Sequence, residues 1–280
     1  MVASYEVIGI GCGGEDQLTL AAIEAMNRVD VFLVPDKGDA TSDLRLLRRR
    51  LCERHMRHPH RMIEIPDADR GPDAQRTAQE YRAGVEAWHD RRVAAHLVAI
   101  DDLLRAGASD LHIGFLVWGD PAFYDSTLRL VTHLQQVHPA PVHVEPGISA
   151  VQQLAASHGI VLNRIGKPVV ITTGRRLLQD WPIGTRNPEA DAVVMLNGRF
   201  PAEELKGHGI EIHWGAYLGS PHEMLVHGLV DDVADEIIDL RERGRAEHGW
   251  MMDIYLLRAP ETPAGETQPG EPQPGEPPRS

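Results

Sequence analysis

Cysteine is scarce. Only Cys12 and Cys52 occur in 280 residues, and neither belongs to a CxxC pair or another metal-ligand spacing. A disulfide framework and a thiolate metal centre are not expected, and a reducing, cytoplasmic setting is. Long apolar runs are also missing. No stretch approaches the roughly 18 residues that a membrane helix needs, and the opening MVASYEVIGIG has no basic leader and no long apolar core. Positive charge is in short supply: 28 Lys and Arg face 41 Asp and Glu, for a net charge of −13. Such a chain repels phosphate backbones and anionic lipid, so neither nucleic acid nor a membrane is expected as partner. An anionic substrate would need locally placed arginines against that mean field. Fifteen histidines are present. His55, His58 and His60 lie close together without a carboxylate companion, and no HExxH pattern occurs, so no metal is expected.

What is present is a repeated α/β alternation. Residues 5–11 (YEVIGIG) read as a buried strand ending in a glycine turn, residues 18–28 as a helix, and residues 30–34 as a second strand. Strand, turn, helix, strand implies at least partly parallel pairing. A leucine-faced, arginine-rich helix follows Thr41-Ser42-Asp43. A strand is read at 61–65 and a long helix at 76–105. The clearest buried strand, 111–117, runs directly into Trp118-Gly119-Asp120-Pro121; a helix to about residue 136 and a strand at 142–144 complete the first half. The second half gives a helix at 149–158, strands at 168–172, 191–196 and 210–217, a helix near 229–241 and a strand at 250–257. The expected class is α/β with mixed sheets in two domains, 1–145 and 146–258, with a cleft between them. Residues 259–280 repeat Glu, Pro, Gln and Gly without an anchoring apolar residue, which is the composition of a disordered tail.

Three strand-to-helix loops carry the candidate chemistry. Gly9-Ile10-Gly11-Cys12-Gly13-Gly14 fits a dinucleotide GxGxxG, with Asp36 at the end of the second strand as the possible ribose partner. A ligand-free turn suits it equally well. Gly119-Asp120-Pro121 sets a carboxylate at a strand end, where open α/β sheets bind ligands; the same residues suit a turn and helix cap. Glu145-Pro146-Gly147-Ile148-Ser149-Ala150 offers a hydroxyl to a ligand or to the helix behind it.

Taken together, in this order and spacing, the loops resemble those of the tetrapyrrole methylase family: a glycine-rich first loop, a GDP loop and a PGIS-type loop. The resemblance spans residues 5–258. The stretches LVWGDPAFYDSTLR (116–129), LNRIGKPVVITTGRRL (162–177) and WGAYLGSPHE (214–223) resemble the branch acting on corrin precursors. Departures are Cys12 and Gly14, where the family usually has Pro and Asp, Glu145 at a usually apolar position, and Asn197 where relatives often have Met.

The resemblance implies a homodimer using S-adenosylmethionine, with no metal, to methylate C-1 of precorrin-5 while an acetyl group leaves as acetate. It implies a donor pocket lined by Trp118, Gly119, Asp120 and Phe123 from one side and by Ser149, Ala150, Asn197 and Leu218 from the other. Asp120 is the expected polar contact and the candidate catalytic residue. For the polycarboxylate acceptor it implies Gly11, Cys12 and Asp36, with Arg175 and Arg176 at a strand end as forked carboxylate partners. Arg45, Arg48 and Arg49 form a second cluster, expected more as a solvated helix face. For the base that activates water, Asp36, Tyr124, Asp125 and Glu145 are candidates through nearness to the loops. A methylase acting at another ring carbon, a nicotinamide oxidoreductase and a donor-sensing module remain the alternatives.

Overall fold

The computed structural model of the protein describes residues 1–36, 42–66, 78–183 and 189–260. The proposed tail, the caps at Thr41–Asp43 and the start of the long helix lie wholly or partly outside these residues. In the first half, β1 (Val2–Gly9) leads through a short 3-10 turn (Glu15–Gln17) to α1 (Leu20–Met26) and β2 (Val31–Asp36). Next come α2 (Ser42–His55), β3 (Arg61–Pro66), α3 (Ala78–Arg105), β4 (Leu111–Val117), α4 (Thr127–Val137) and β5 (Val142–Glu145). The strands form one sheet in the order β3-β2-β4-β1-β5, and every pair is parallel. Both faces are therefore covered, as parallel sheets require. Tyr5, Val7, Ile113 and Phe115 pack on the side of α3 and α4, while Ile8, Ile10 and Phe32 pack against Ala22, Ala25, Met26, Leu47 and Leu51 of α1 and α2.

The second half runs α5 (Ala150–His158), β6 (Val169–Thr173), α6 (Leu177–Asp180), β7 (Asp191–Met195), α7 (Ala202–Leu205), β8 (Glu211–Ala216), β9 (Met224–Leu229), α8 (Val230–His248) and β10 (Asp253–Arg258). Its sheet is mixed, ordered β6-β7-β10-β8-β9: β6 and β7 are parallel, and the other neighbours are antiparallel. Trp181, Trp214, Tyr255 and Ile237 fill the face under α8. Val193, Leu256 and Ile254 meet Val151 and Leu154 of α5 on the other.

Several boundaries differ from expectation. β1 spans Val2–Gly9, because Gly11, at φ 80°, has already turned out of the strand. The first helix starts at Leu20 behind the 3-10 turn, and Leu20, expected on the periodic face, is exposed; Ala22, Ala25 and Met26 carry the contact. The edge strand β9 was not expected, since His227 and Gly228 interrupt its apolar alternation. The last helix reaches His248, seven residues further than its apolar stripe suggests.

Candidate functional site

Register places the three loops side by side. Gly9 pairs with Val117, and Ile8 with Glu145, so β1, β4 and β5 end at one level. Gly11 and Gly119 then close an isolated bridge, with Gly119 N–H donating to Gly11 C=O at 2.8 Å. A Cβ on Gly9 would collide with the Gly147 backbone, and one on Gly147 with the Gly119 carbonyl. These two glycines are there so that three backbones can touch. Gly119 differs: at φ 69° its open side meets only the Ser149 Cα, at 4.0 Å. Its backbone conformation, rather than a close neighbour, is what favours glycine there.

Asp120 is committed to that junction. One carboxylate oxygen accepts the Gly147 N–H at 2.9 Å and the other the Ala122 N–H at 2.8 Å. Ser149 is buried and caps α5 in a reciprocal capping box with Gln152. Phe123, Ala150, Leu218 and Cys12 share one apolar cluster with Val151, Leu154, Val193 and Met195. Six of the eight donor-pocket candidates therefore stand around the meeting of GDP loop and α5, and Trp118, at the end of β4, faces the cleft beside them. Asn197 does not join them. Its side-chain oxygen accepts from the Tyr255 hydroxyl at 3.2 Å, its carbonyl accepts from Arg241, and Arg241 pairs with the buried Asp253. Met195, not Asn197, reaches the cluster from β7.

The first loop is organised by a residue that sequence reasoning passed over. Gln17 accepts the Cys12 N–H at 2.6 Å and the Gly13 N–H at 3.2 Å, and donates to Gln153 of α5 at 2.8 Å. It also fills the space a side chain on Gly219 would need. With Gly11 N–H bonded to Gly119 C=O, the amides that a dinucleotide phosphate would use are taken. The signal was weak: one polar residue in the helix-entry turn.

A cleft of about 270 Å³ opens between the two sheets beside these loops. Its lining includes Cys12, Leu47 and Arg50 on the first side, Trp118, and Tyr217, His222 and His248 on the second. Burial pushes the Cys12 thiol up to about 12, so it is a protonated, apolar wall whose S–H meets the Ile148 carbonyl at 3.2 Å. A larger hollow of about 550 Å³ lies at the outer edge of the second sheet, near Arg164, His227 and Arg258. It touches none of the three loops, and the chemistry is read in the smaller one.

The arginines separate by role. Arg48 is buried and donates to the Leu116 carbonyl at 3.0 Å behind the GDP loop, with desolvation lowering its pKa to about 10; it is not the solvated side chain expected. Arg45 pairs with Asp36 at 3.2 Å, Arg50 with Glu15 at 2.7 Å, and Arg49 lies 3.6 Å from Glu64. Arg175 and Arg176 follow β6 on the surface, where Arg176 pairs with Asp180 at 2.7 Å. Tyr124, held at φ 50°, donates from the GDP loop to the Ile171 carbonyl of β6 at 3.2 Å, so this arginine pair lies at the seam of the two sheets. Asp36 is outside the cleft lining. No three His, Cys, Asp or Glu among the described residues form a metal-binding group, and no described helix is long and apolar enough to cross a membrane.

The chain is similar to known proteins over nearly its whole length. Residues 6–234 match the model of the tetrapyrrole (corrin/porphyrin) methylases. A precorrin-6A synthase [deacetylating] of Sinorhizobium sp is 38% identical over 255 residues, covering 90% of this chain and 94% of that protein. A cobalamin synthesis related protein (CobF) from Corynebacterium diphtheriae superposes with a TM-score of 0.75 at 35% identity, covering 92% of this chain and 99% of that one. The fold is shared with a uroporphyrin-III C-methyltransferase from Thermus thermophilus complexed with S-adenosyl homocysteine, at TM-score 0.52, 19% identity and coverage of 91% and 92%. With its three loops in backbone contact beside the cleft and a family match across most of both sheets, the chain belongs to the tetrapyrrole methylases.

Proposed function

We propose that this chain is an S-adenosylmethionine-dependent C-methyltransferase that methylates C-1 of precorrin-5 and releases acetate, giving precorrin-6A. The observation that carries the reading is the 38% identity to a deacetylating precorrin-6A synthase across 90% of the chain. The cleft fits the chemistry. When bound, the donor supplies a methyl group on a sulfonium, which needs no metal. The open side of Gly119, the capped start of α5 and the cluster of Phe123, Ala150 and Leu218 offer backbone polar groups and apolar walls to an adenosine. Asp120 holds the GDP loop on Gly147, and in this reading its role is to position that wall. Holding the two reacting carbons in line is worth some 7–11 kcal/mol.

The acceptor's carboxylates find a cation at Arg50 of α2, on the cleft lining, and further ones at Arg175 and Arg176 by the seam. The ion pairs of Arg50 and Arg176 are exposed and screened by water, so a substrate carboxylate displaces the partner readily. We read each sheet with its helices as a domain, 1–145 and 146–258, in a cytoplasmic homodimer. The test is to supply precorrin-5 and S-adenosylmethionine and measure both products. Acetate and S-adenosylhomocysteine in equal amounts are expected. A methylated product without acetate moves the assignment to another ring carbon.

A further inference from the structure

Loss of an acetyl group requires water to be deprotonated as it attacks the acetyl carbonyl. Apart from the exposed Asp16, the carboxylates nearest the loops are already engaged. Asp120 holds two backbone amides, Asp125 caps α4 through the Thr127 N–H at 2.6 Å, Asp36 pairs with Arg45, and Glu145 sits 3.7 Å from Arg28. Cys12 stays protonated. The Tyr217 hydroxyl donates to the Trp250 carbonyl at 2.5 Å, and burial raises its pKa.

Two imidazoles remain on the cleft wall. Tyr217 sits at φ 50° at the end of β8, and its bond to Trp250 ties the 217–223 turn to the end of α8. That tie brings His222 from the turn against His248, the last residue of α8, with ring centroids 4.5 Å apart. Tyr217 packs edge-on against His248 at 4.9 Å. Both histidines line the cleft with Cys12, Leu47 and Trp118, and neither ring nitrogen makes a hydrogen bond among the described residues. Two unengaged imidazoles thus share a wall with the apolar side chains of Cys12, Leu47 and Trp118.

Resting on the function proposed above, we propose that the His222–His248 pair is the general base of the deacetylation half-reaction. One imidazole takes a proton from water as its oxygen bonds to the acetyl carbon. The resulting tetrahedral centre collapses, the bond from ring C-1 to the acetyl carbon breaks, and its electron pair stays on C-1. Acetic acid leaves and ionises, so both protons of the water pass to solvent, one of them by way of the imidazolium, and the electron-rich C-1 takes the methyl as the carbon–sulfur bond breaks towards sulfur. The charged and titratable groups around the pair are Arg50 from α2, Cys12 from the first loop, Tyr217 and Glu223 from the turn, Arg245 and Glu247 from α8, and Asp253 from β10.

The test uses the full chain with precorrin-5 and S-adenosylmethionine, and compares the wild type with His222→Gln, His248→Gln and the double variant. Acetate release and S-adenosylhomocysteine are followed from about pH 5 to 9, and donor affinity by calorimetry. The double variant is expected to lose about 100-fold or more in acetate release at unchanged donor affinity. Its acidic limb should vanish, and added imidazole should restore part of the rate. Acetate release equal to wild type with the same acidic limb overturns the assignment. If the double variant no longer binds the donor, the single variants decide: an unchanged acidic limb in both overturns it. A wild type that methylates without releasing acetate overturns the underlying function as well.

Discussion

Gln17 joins parts of the chain that are distant in sequence. Its amide oxygen holds Cys12 and Gly13, its amide nitrogen reaches Gln153, and its stem blocks Gly219. Gln17→Ala leaves two backbone N–H groups of a packed loop without their acceptor, at about 1–3 kcal/mol. Thermal unfolding is expected to fall by several degrees, and donor affinity with it; an unchanged melting point removes the role. Gly219→Ala is expected to cost more, because residue 219 is at φ 72° and a Cβ there collides with Gln17. The double variant should recover the steric share, so the two effects are sub-additive; full additivity denies the contact. Asp120 supplies the companion prediction. Asp120→Asn turns one acceptor into a donor facing either the Gly147 or the Ala122 N–H, and is expected to cost about 1–2 kcal/mol while weakening the donor several-fold by calorimetry. A stable variant with unchanged affinity removes Asp120 from the site. Asp120 was visible in the sequence as part of a motif; what it does was not, because a strand-end carboxylate reads alike whether it faces a ligand or a backbone amide. Asn197 shows the same limit. Its position after β7 was legible, but its direction follows from Arg241 and Asp253, whose pairing is set by packing more than forty residues away.

At the scale of elements, the parallel first sheet was legible because its strands are short continuous apolar runs with glycine turns behind them, and both faces are covered by helices. The loops could be ordered from sequence for the same reason, since each follows a strand that ends in the same layer. The second sheet was harder. β9 is an edge strand with exposed Leu225 and Leu229 and with His227 and Gly228 between them, so half its pattern faces water and no run stands out. α6 and α7 are four residues each, too short to show a period. The element that matters most to the cleft is α5, whose N-terminus abuts the first sheet while its flank packs on the second. Its capping box was readable in Ser149 and Gln152. Ser149→Ala removes the hydroxyl cap from a buried helix start, at about 1 kcal/mol. The expected result is a melting point a few degrees lower with donor affinity reduced, because the cap faces Gly119. Ser149→Thr should keep the cap and most of the stability. If Ala and Thr are equivalent, the cap does not set the site.

Across the whole molecule, acid is the expected weak direction. His96 of α3 is buried beside Phe115 of β4, with ring centroids 6.1 Å apart. Burial lowers its pKa to about 4, against a bond to the Arg92 carbonyl that works the other way. The His158 and His213 pKa values are lowered by burial as well. A group whose folded value is depressed takes its proton more readily in the unfolded chain, so its contribution is present above about pH 6.5 and is lost as pH falls towards the folded value. Glu6 adds to the loss lower down: burial alone would raise it, but its bonds to Arg28, His143 and Ser4 outweigh that and hold it below the usual range. For His96 alone, linkage gives about 2 kcal/mol lost between neutral pH and pH 5, rising to about 3 kcal/mol near pH 4. Urea unfolding at pH 7.5 and pH 5 measures this directly. The wild type is expected to lose more stability over that interval than His96→Gln does, by about 2 kcal/mol. Equal losses in the two proteins would mean that the α3–β4 face does not hold its histidine neutral, and that the acid sensitivity arises elsewhere in the chain.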